Sequence, residues 1–158
     1  MNAPDPVIQD ATPNIEAEEG LRLFVYDDAT GEPIVAGTTV IGNPTIGYGR
    51  LLTPAHGISL AEAQALLLHD VCAALGDVSK LPVFSHLNVP RQAALLDMDF
   101  NMGYGNLEQF TTFLGLLAQA KYEAAADDLT HTAWYGQVGS RAQRIEQIIR
   151  TGVWVKAP

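Results

Sequence analysis

Apolar residues recur at helical spacing from Gly57 onward. Leu60, Ala63, Leu67, Val71, Ala74 and Leu75 share one face of a 3.6-residue repeat and predict a helix over residues 59–76. Ser59, followed three positions on by Glu62, forms a capping box at its start. Pro90 opens a second long helix that Gly103 closes, with Ala94, Leu95, Met98 and Met102 on one face. Further helical stretches are predicted near 107–119, 121–131 and 140–150, with Gly152 just beyond the last. The pattern before Gly57 is different. Gly31, Gly37, Gly42, Gly47 and Gly49 punctuate Ile34-Val35, Thr38 to Ile41 and Thr45 to Tyr48, which predicts short strands in a small antiparallel sheet. Leu21 to Tyr26 suits a strand or a buried turn leading into one. Thr12-Pro13 resembles a helix start, with Thr12 as N-cap, and Gly20 ends that helix soon after Glu19. Residues 1–11 are polar and read as a loose leader.

The fold class predicted is α+β, mostly α, in a single domain over residues 1–158. Its parts are a leader (1–11), a β-rich lobe (12–58), a linking helix (59–76) and a larger helical lobe (77–158). The junction between two lobes is where a substrate cleft is sought.

Composition narrows the possibilities. Hydrophobic residues make up 47% and charged residues 17% of 158, a globular balance that argues against disorder. No apolar run approaches the roughly 20 residues of a membrane span. MNAPDPVIQD lacks the basic start and apolar stretch of a secretion signal, so the expectation is a chain made in the cytoplasm and soluble there. The lone Cys72 excludes an intramolecular disulfide, and its neighbours suggest a small buried hydrophobe. A net charge of −9 makes nucleic acid a poor partner. The charge is uneven: acids dominate through Glu32, whereas Arg141, Arg144, Arg150 and Lys156 dominate the C-terminal end. His56, His69, His86 and His131 lack a metal-ligand spacing, so neither a metal nor another cofactor is expected. Trp134 and Trp154 lie among helical neighbours and are expected in the core.

Glu19 and Asp28 are the first candidates for chemistry. The path between them, through Gly20 and a short extended segment, can fold back and set two carboxylates across one cleft. Glycoside hydrolysis needs such a pair, a protonated acid at the leaving oxygen and a carboxylate at the sugar's other face. Spacing alone is weak in a chain with 18 acids, because many such spacings arise by chance.

The context is more specific. Glu19-Gly20-Leu21-Arg22-Leu23, Tyr26, Asp28, Gly31 and Thr45-Ile46-Gly47-Tyr48-Gly49-Arg50 together resemble the phage-type lysozymes, a glycoside hydrolase family of endolysins. Gly57-Ile58-Ser59 with Glu62-Ala63 and His69-Asp70-Val71 resembles the family's linking helix. Pro90 to Gly103 resembles its central helix. Trp134-Tyr135, Arg141-Ala142, Arg144, Arg150-Thr151-Gly152 and Trp154 resemble its C-terminal signature. The resemblance runs co-linearly from Glu19 to Trp154 and implies the two-lobed lysozyme fold.

It also implies roles. Glu19 matches the general acid, Asp28 the carboxylate that assists water attack or stabilises the sugar cation, and Thr45 the hydroxyl that helps hold that water. Such an acid needs an apolar or crowded site to stay protonated, whereas Asp28 needs a polar setting. Arg141 matches an arginine set against the catalytic Glu; Asn101 matches a polar cleft-edge position, and Tyr26 a supporting one. The implied activity is hydrolysis of the β-1,4 bond between N-acetylmuramic acid and N-acetylglucosamine in peptidoglycan, with inversion, for host lysis. A lytic transglycosylase and a non-catalytic wall-binding module are the alternatives. The implied setting is a monomer in the host cytoplasm with no stable membrane insertion, reaching the wall after a separate protein permeabilises the membrane.

Two departures from the family pattern stand out. Glu32 to Pro44 is much longer than the family's usual turn, so an extended hairpin must bring Thr45 back to Asp28. Arg50 stands where a well-known member has a histidine paired to an aspartate, and Asp70 matches that aspartate, which predicts an Arg50–Asp70 ion pair. The acidity is odd for an enzyme of an anionic wall, and Arg144 and Arg150 are expected to face substrate.

Overall fold

The computed structural model describes residues 6–53 and 55–157. Two compact units emerge, one up to Ala63 and one from Gln64 onward. The first contains helix α1 (Pro6–Glu19), strands β1 (Arg22–Asp27), β2 (Pro44–Gly47) and β3 (Arg50–Leu51), and the start of α2 (Leu60–Val78). The second continues with a 3-10 turn (Phe84–His86), α3 (Val89–Met102), α4 (Tyr104–Leu107), α5 (Thr111–Ala118), α6 (Tyr122–Thr130), α7 (Ala133–Val138) and α8 (Ser140–Thr151). This is the predicted α+β, mostly helical class.

In the first unit the strands form an antiparallel sheet in the order β1-β2-β3, with Tyr26 opposite Thr45 and Thr45 opposite Leu51. The α1 helix begins well before the predicted Thr12, so part of the expected leader is helical. Thr12 is not an N-cap: its hydroxyl donates to the Ile8 carbonyl at 2.7 Å, the back-bonding of a residue inside a helix, and Pro13 lies inside too. Ile34-Val35 and Thr38 to Ile41 are not strands. Their segment touches the sheet through one Tyr26–Pro33 bridge, and the Ile41 and Gly42 amides donate to the Asp27 carboxylate rather than to a neighbouring strand.

The capping box forms as predicted. Glu62 accepts from the Ser59 amide at 2.8 Å and the Ser59 hydroxyl at 2.6 Å, while Ser59 Oγ accepts from the Glu62 amide at 3.3 Å. The Ser59 hydroxyl, then its amide, then Arg50 hold the Glu62 carboxyl below its ordinary range. Arg50 donates to Glu62 at 2.5 Å and to the Gly57 carbonyl at 2.6 Å. The predicted Arg50–Asp70 pair is therefore replaced by Arg50–Glu62, because Glu62 is already fixed by the cap. Asp70 lies 3.3 Å from its neighbour His69. Cys72 is exposed, contrary to expectation.

The second unit encloses a dry core in which Val78, Ala94, Leu95, Met98, Leu107, Phe113, Leu129 and Ile149 have no exposed surface. Trp134 is buried as expected and meets Phe110 edge-on, with ring centroids 6.3 Å apart. Trp154 is instead half exposed, because it follows the end of α8 and belongs to no helix face. Two charged residues on α3 are buried with that core. Arg91 donates to the Ile149 and Arg150 carbonyls at 2.7 and 3.3 Å, and its guanidinium stacks 3.5 Å from the Tyr122 ring centroid. A cation is thus set against the electron-rich end of α8. Asp99 keeps one buried carboxyl oxygen without a hydrogen-bond partner among the described residues. Burial, then the charge of Asp77, raises its pKa above the usual carboxylate value, while Lys80 opposes them.

Candidate active site

The turn after α1 places Glu19. The Gly20 amide closes on the Glu16 carbonyl at 3.1 Å, and the chain leaves directly into β1, so Glu19 ends its helix beside the sheet. The β2–β3 hairpin passes underneath. Gly49 has φ of +76°, and a Cβ there would lie 3.0 Å from Glu19 Oε2. Backbone conformation and space both call for glycine, and the carboxylate rests against bare backbone. Glu19 is nevertheless exposed rather than crowded by apolar side chains. Beyond Gly49 lies an open depression of about 750 Å³, lined by Gly49, Arg50, Leu51 and residues 55–59.

Asp27 ends β1, and Asp28 opens the turn that follows it. Asp27 turns inward and is buried. Its carboxylate accepts from the Ile41 amide at 2.6 Å and from the Ala29 and Gly42 amides at 2.9 Å each. These bonds, that to Ile41 foremost, keep it ionised to lower pH than an ordinary aspartate against the opposing effect of burial. Asp28 turns outward and is exposed. It accepts from the Asn43 amide at 2.7 Å and from Asn43 Nδ2 at 3.1 Å.

Thr45 is buried on β2, and its hydroxyl donates to the Asn43 carbonyl at 3.1 Å. That same carbonyl accepts the Asp28 amide at 3.1 Å. Tyr26, opposite Thr45, carries the Arg22 guanidinium 4.4 Å above its ring, and Arg22 also donates to the Gly31 carbonyl. The structure therefore brings Asp28, Thr45 and Tyr26 together at one end of the sheet and sets Glu19 against the hairpin of the same unit.

The other two candidates belong to the helical unit. Arg141 donates through Nε to Asp97 Oδ1 at 2.5 Å and through Nη2 to the Asp97 carbonyl at 3.1 Å. Asn101 is exposed, and its Oδ1 accepts from Trp134 Nε1 at 2.8 Å. Arg150, expected to face substrate, is surrounded by carboxylates: it donates to Glu123, to Asp127 at 2.6 Å and to Glu146 at 2.7 Å. Those bonds raise its already high pKa. The basic end of the sequence is thus partly neutralised by α6. Arg144 donates to the Ser140 carbonyl of its own helix at 3.3 Å.

Sequence reasoning missed Asp27, Gly42 and Asn43. Asp27 is adjacent to the family-matched acid, and its partners, the Ile41 and Gly42 amides, lie 14 and 15 positions on, beyond the reach of any local pattern. Asn43 precedes a proline at the end of the long segment, a position that reads as an ordinary turn.

A sequence model of the family described as Phage lysozyme matches residues 16–147. The chain belongs to the phage lysozyme family. Phage lysozymes are glycoside hydrolases, and the match spans Glu19, Asp28, Thr45, Asn101 and Arg141. The chain is 33% identical over 155 residues to the pre-baseplate central spike protein Gp5 of Enterobacteria phage T4, a match that covers 87% of this chain and 27% of that protein. It is 25% identical over 167 residues to the probable T4-type lysozyme 2 of Dictyostelium discoideum, covering 87% and 92% respectively. A second Dictyostelium relative, probable T4-type lysozyme 1, is 28% identical over 99 residues, covering 60% and 58%. The chain thus spans about a quarter of the length of the spike protein. No helix among the described residues is long and apolar enough to cross a membrane.

Proposed function

We propose that this phage lysozyme is a muramidase, hydrolysing the β-1,4 bond between N-acetylmuramic acid and N-acetylglucosamine in bacterial peptidoglycan. Glu19 gives its proton to the glycosidic oxygen as the bond to the anomeric carbon breaks. Asp28 takes a proton from a water whose oxygen attacks that carbon from the other face, and Thr45 helps hold the water. We read the products as inverted, an outcome that requires the Glu19 and Asp28 carboxylates to stand about 6.5–9.5 Å apart across that water. Tyr26, Asn101 and Arg141 are supporting groups. The observation that carries the reading is the sharing of one residue, Asn43, between the Asp28 carboxylate and the Thr45 hydroxyl.

Gram-negative peptidoglycan incubated with the wild type should release reducing muropeptides, identified by mass spectrometry. Glu19→Gln should lower the rate on the order of 10²–10⁴-fold. Anhydro-sugar products would replace the hydrolase with a transglycosylase, and an undiminished rate would remove Glu19 from the mechanism.

We further read the enzyme as one of host lysis that meets the wall only once the inner membrane is opened. Expressed in the cytoplasm, it should leave cells intact until chloroform is added; spontaneous lysis contradicts this. The similarity to a baseplate spike protein favours a second setting, the same chemistry carried on a virus particle. Detection of the chain in assembled particles would select that setting.

A further inference from the structure

The long segment between Glu32 and Pro44 ends in Gly42, which lies against Asp28, and Asn43, which bonds both members of the proposed water-binding pair. Gly42 lies so close to the carboxylates that a Cβ there would fall 2.1 Å from Asp28 Oδ1 and 2.7 Å from Asp27 Oδ1. Asn43 follows, with four bonds. Its amide and Nδ2 hold separate oxygens of Asp28, and its carbonyl accepts both the Asp28 amide and the Thr45 hydroxyl. We propose that Asn43, seated by Gly42, is the positioning residue that sets Asp28 and Thr45 for the attacking water, and that the extended segment exists as their clamp. The proposal rests on the reading of Asp28 as the water-activating carboxylate.

The chemistry follows from donor and acceptor roles. Nδ2 and the amide nitrogen can only donate, so they stabilise the ionised carboxylate and fix its plane. The carbonyl can only accept, so the Thr45 proton is committed to it. The Thr45 oxygen then presents lone pairs alone, and a water it holds must donate to it. With a second hydrogen on Asp28, that water has both protons engaged and its own lone pair directed at the sugar. Asp27 anchors the arrangement from the inner side: its bonds to the Ile41 and Gly42 amides fix the approach of Asn43.

The test combines Asn43→Ala and Asn43→Asp with pH–rate profiles and with ¹³C NMR titration of the Asp28 carboxyl. Asn43→Ala should lower kcat by about 10–100-fold with KM little changed, the signature of misplaced reacting groups. Asn43→Asp places a second negative charge beside Asp28 and disfavours its ionised form. The acid limb of the profile and the NMR titration should both move to higher pH. An unmoved titration in Asn43→Asp, with kcat near wild type in Asn43→Ala, overturns the proposal. The NMR readout needs no activity, so the two readings fail differently. A fully active Asp28→Asn enzyme sinks the role of Asp28 and the proposal with it. An inactive Asp28→Asn enzyme alongside an unmoved titration in Asn43→Asp and near wild-type kcat in Asn43→Ala sinks only the clamp.

Discussion

In the helical unit the side chains without exposed surface include Leu95, Met98, Leu107, Phe113 and Ile149, all apolar and part of one cluster. Among the described residues of the first unit, the buried side chains are Asp27 and Thr45, both polar. One region is organised by removal of hydrocarbon from water, which is roughly proportional to area and indifferent to direction. The other is organised by amides converging on a carboxylate, which is directional and changes with protonation. The difference separates two kinds of order: the directional region holds Asp27, Asp28 and Thr45 through hydrogen bonds, and the helical region holds the apolar core.

Substitutions that act on one region alone sharpen that comparison. The largest effect is expected in the helical core, where Leu95→Ala should cost about 2–5 kcal/mol in urea unfolding, the range for buried leucine truncation. A loss below 1 kcal/mol would mean the core is looser than described. Next comes Asp27→Asn, which removes the charged acceptor of the 41–42 amides. Hydrogen exchange at Ile41 and Gly42 should accelerate and the glycosidase rate should fall, with core amides of α3 and α8 unaffected. Acid should act in the same way. Because the folded-state pKa of Asp27 is lowered, its contribution is full above the unfolded value and is lost as pH falls through the folded one. Protection at Ile41 and Gly42 should therefore persist below the ordinary aspartate range and then collapse; early loss would contradict the bonding described. The smallest effect concerns Asp99, whose pKa is raised. It favours the folded state least once ionised, so the cost appears as pH rises from the unfolded pKa through the folded one. Asp99→Leu should stabilise the protein by about 1 kcal/mol at neutral pH, and a destabilised variant would show that the carboxyl has a partner.

What the sequence revealed follows the same divide. The longer helices of the second unit were legible because burial leaves a 3.6-residue trace, as at Ala94, Leu95 and Met98, whereas the short α4 and α7 were not, and the Ser59–Glu62 cap was legible because it is local. Arg91 and Asp99 were not. Each satisfies or strains its charge through partners distant in sequence, Ile149 for one and Asp77 with Lys80 for the other. Glu19, Asp28 and Thr45 came from motif resemblance, and the bonds that hold Asp28 and Thr45 run to Asn43, which lies 15 positions after Asp28. Arg50 illustrates the limit of resemblance: the partner expected by analogy is Asp70, and the partner found is the capping Glu62.

The clamp at Gly42 and Asn43 has a consequence for how the chain tolerates change in length. Asp28 and Thr45 are bonded to Asn43 at the end of the 32–44 segment, whereas among the described residues the tip of that segment is held by the Val35–Thr38 turn. At Gly37 nothing lies within 4 Å of where a side chain would begin. Lengthening a flexible loop costs little, about 0.6 kcal/mol for each doubling. The tip at Gly37 is accordingly a natural port for grafting, where an inserted peptide or affinity tag would leave the bonds of Asn43 to Asp28 and Thr45 in place.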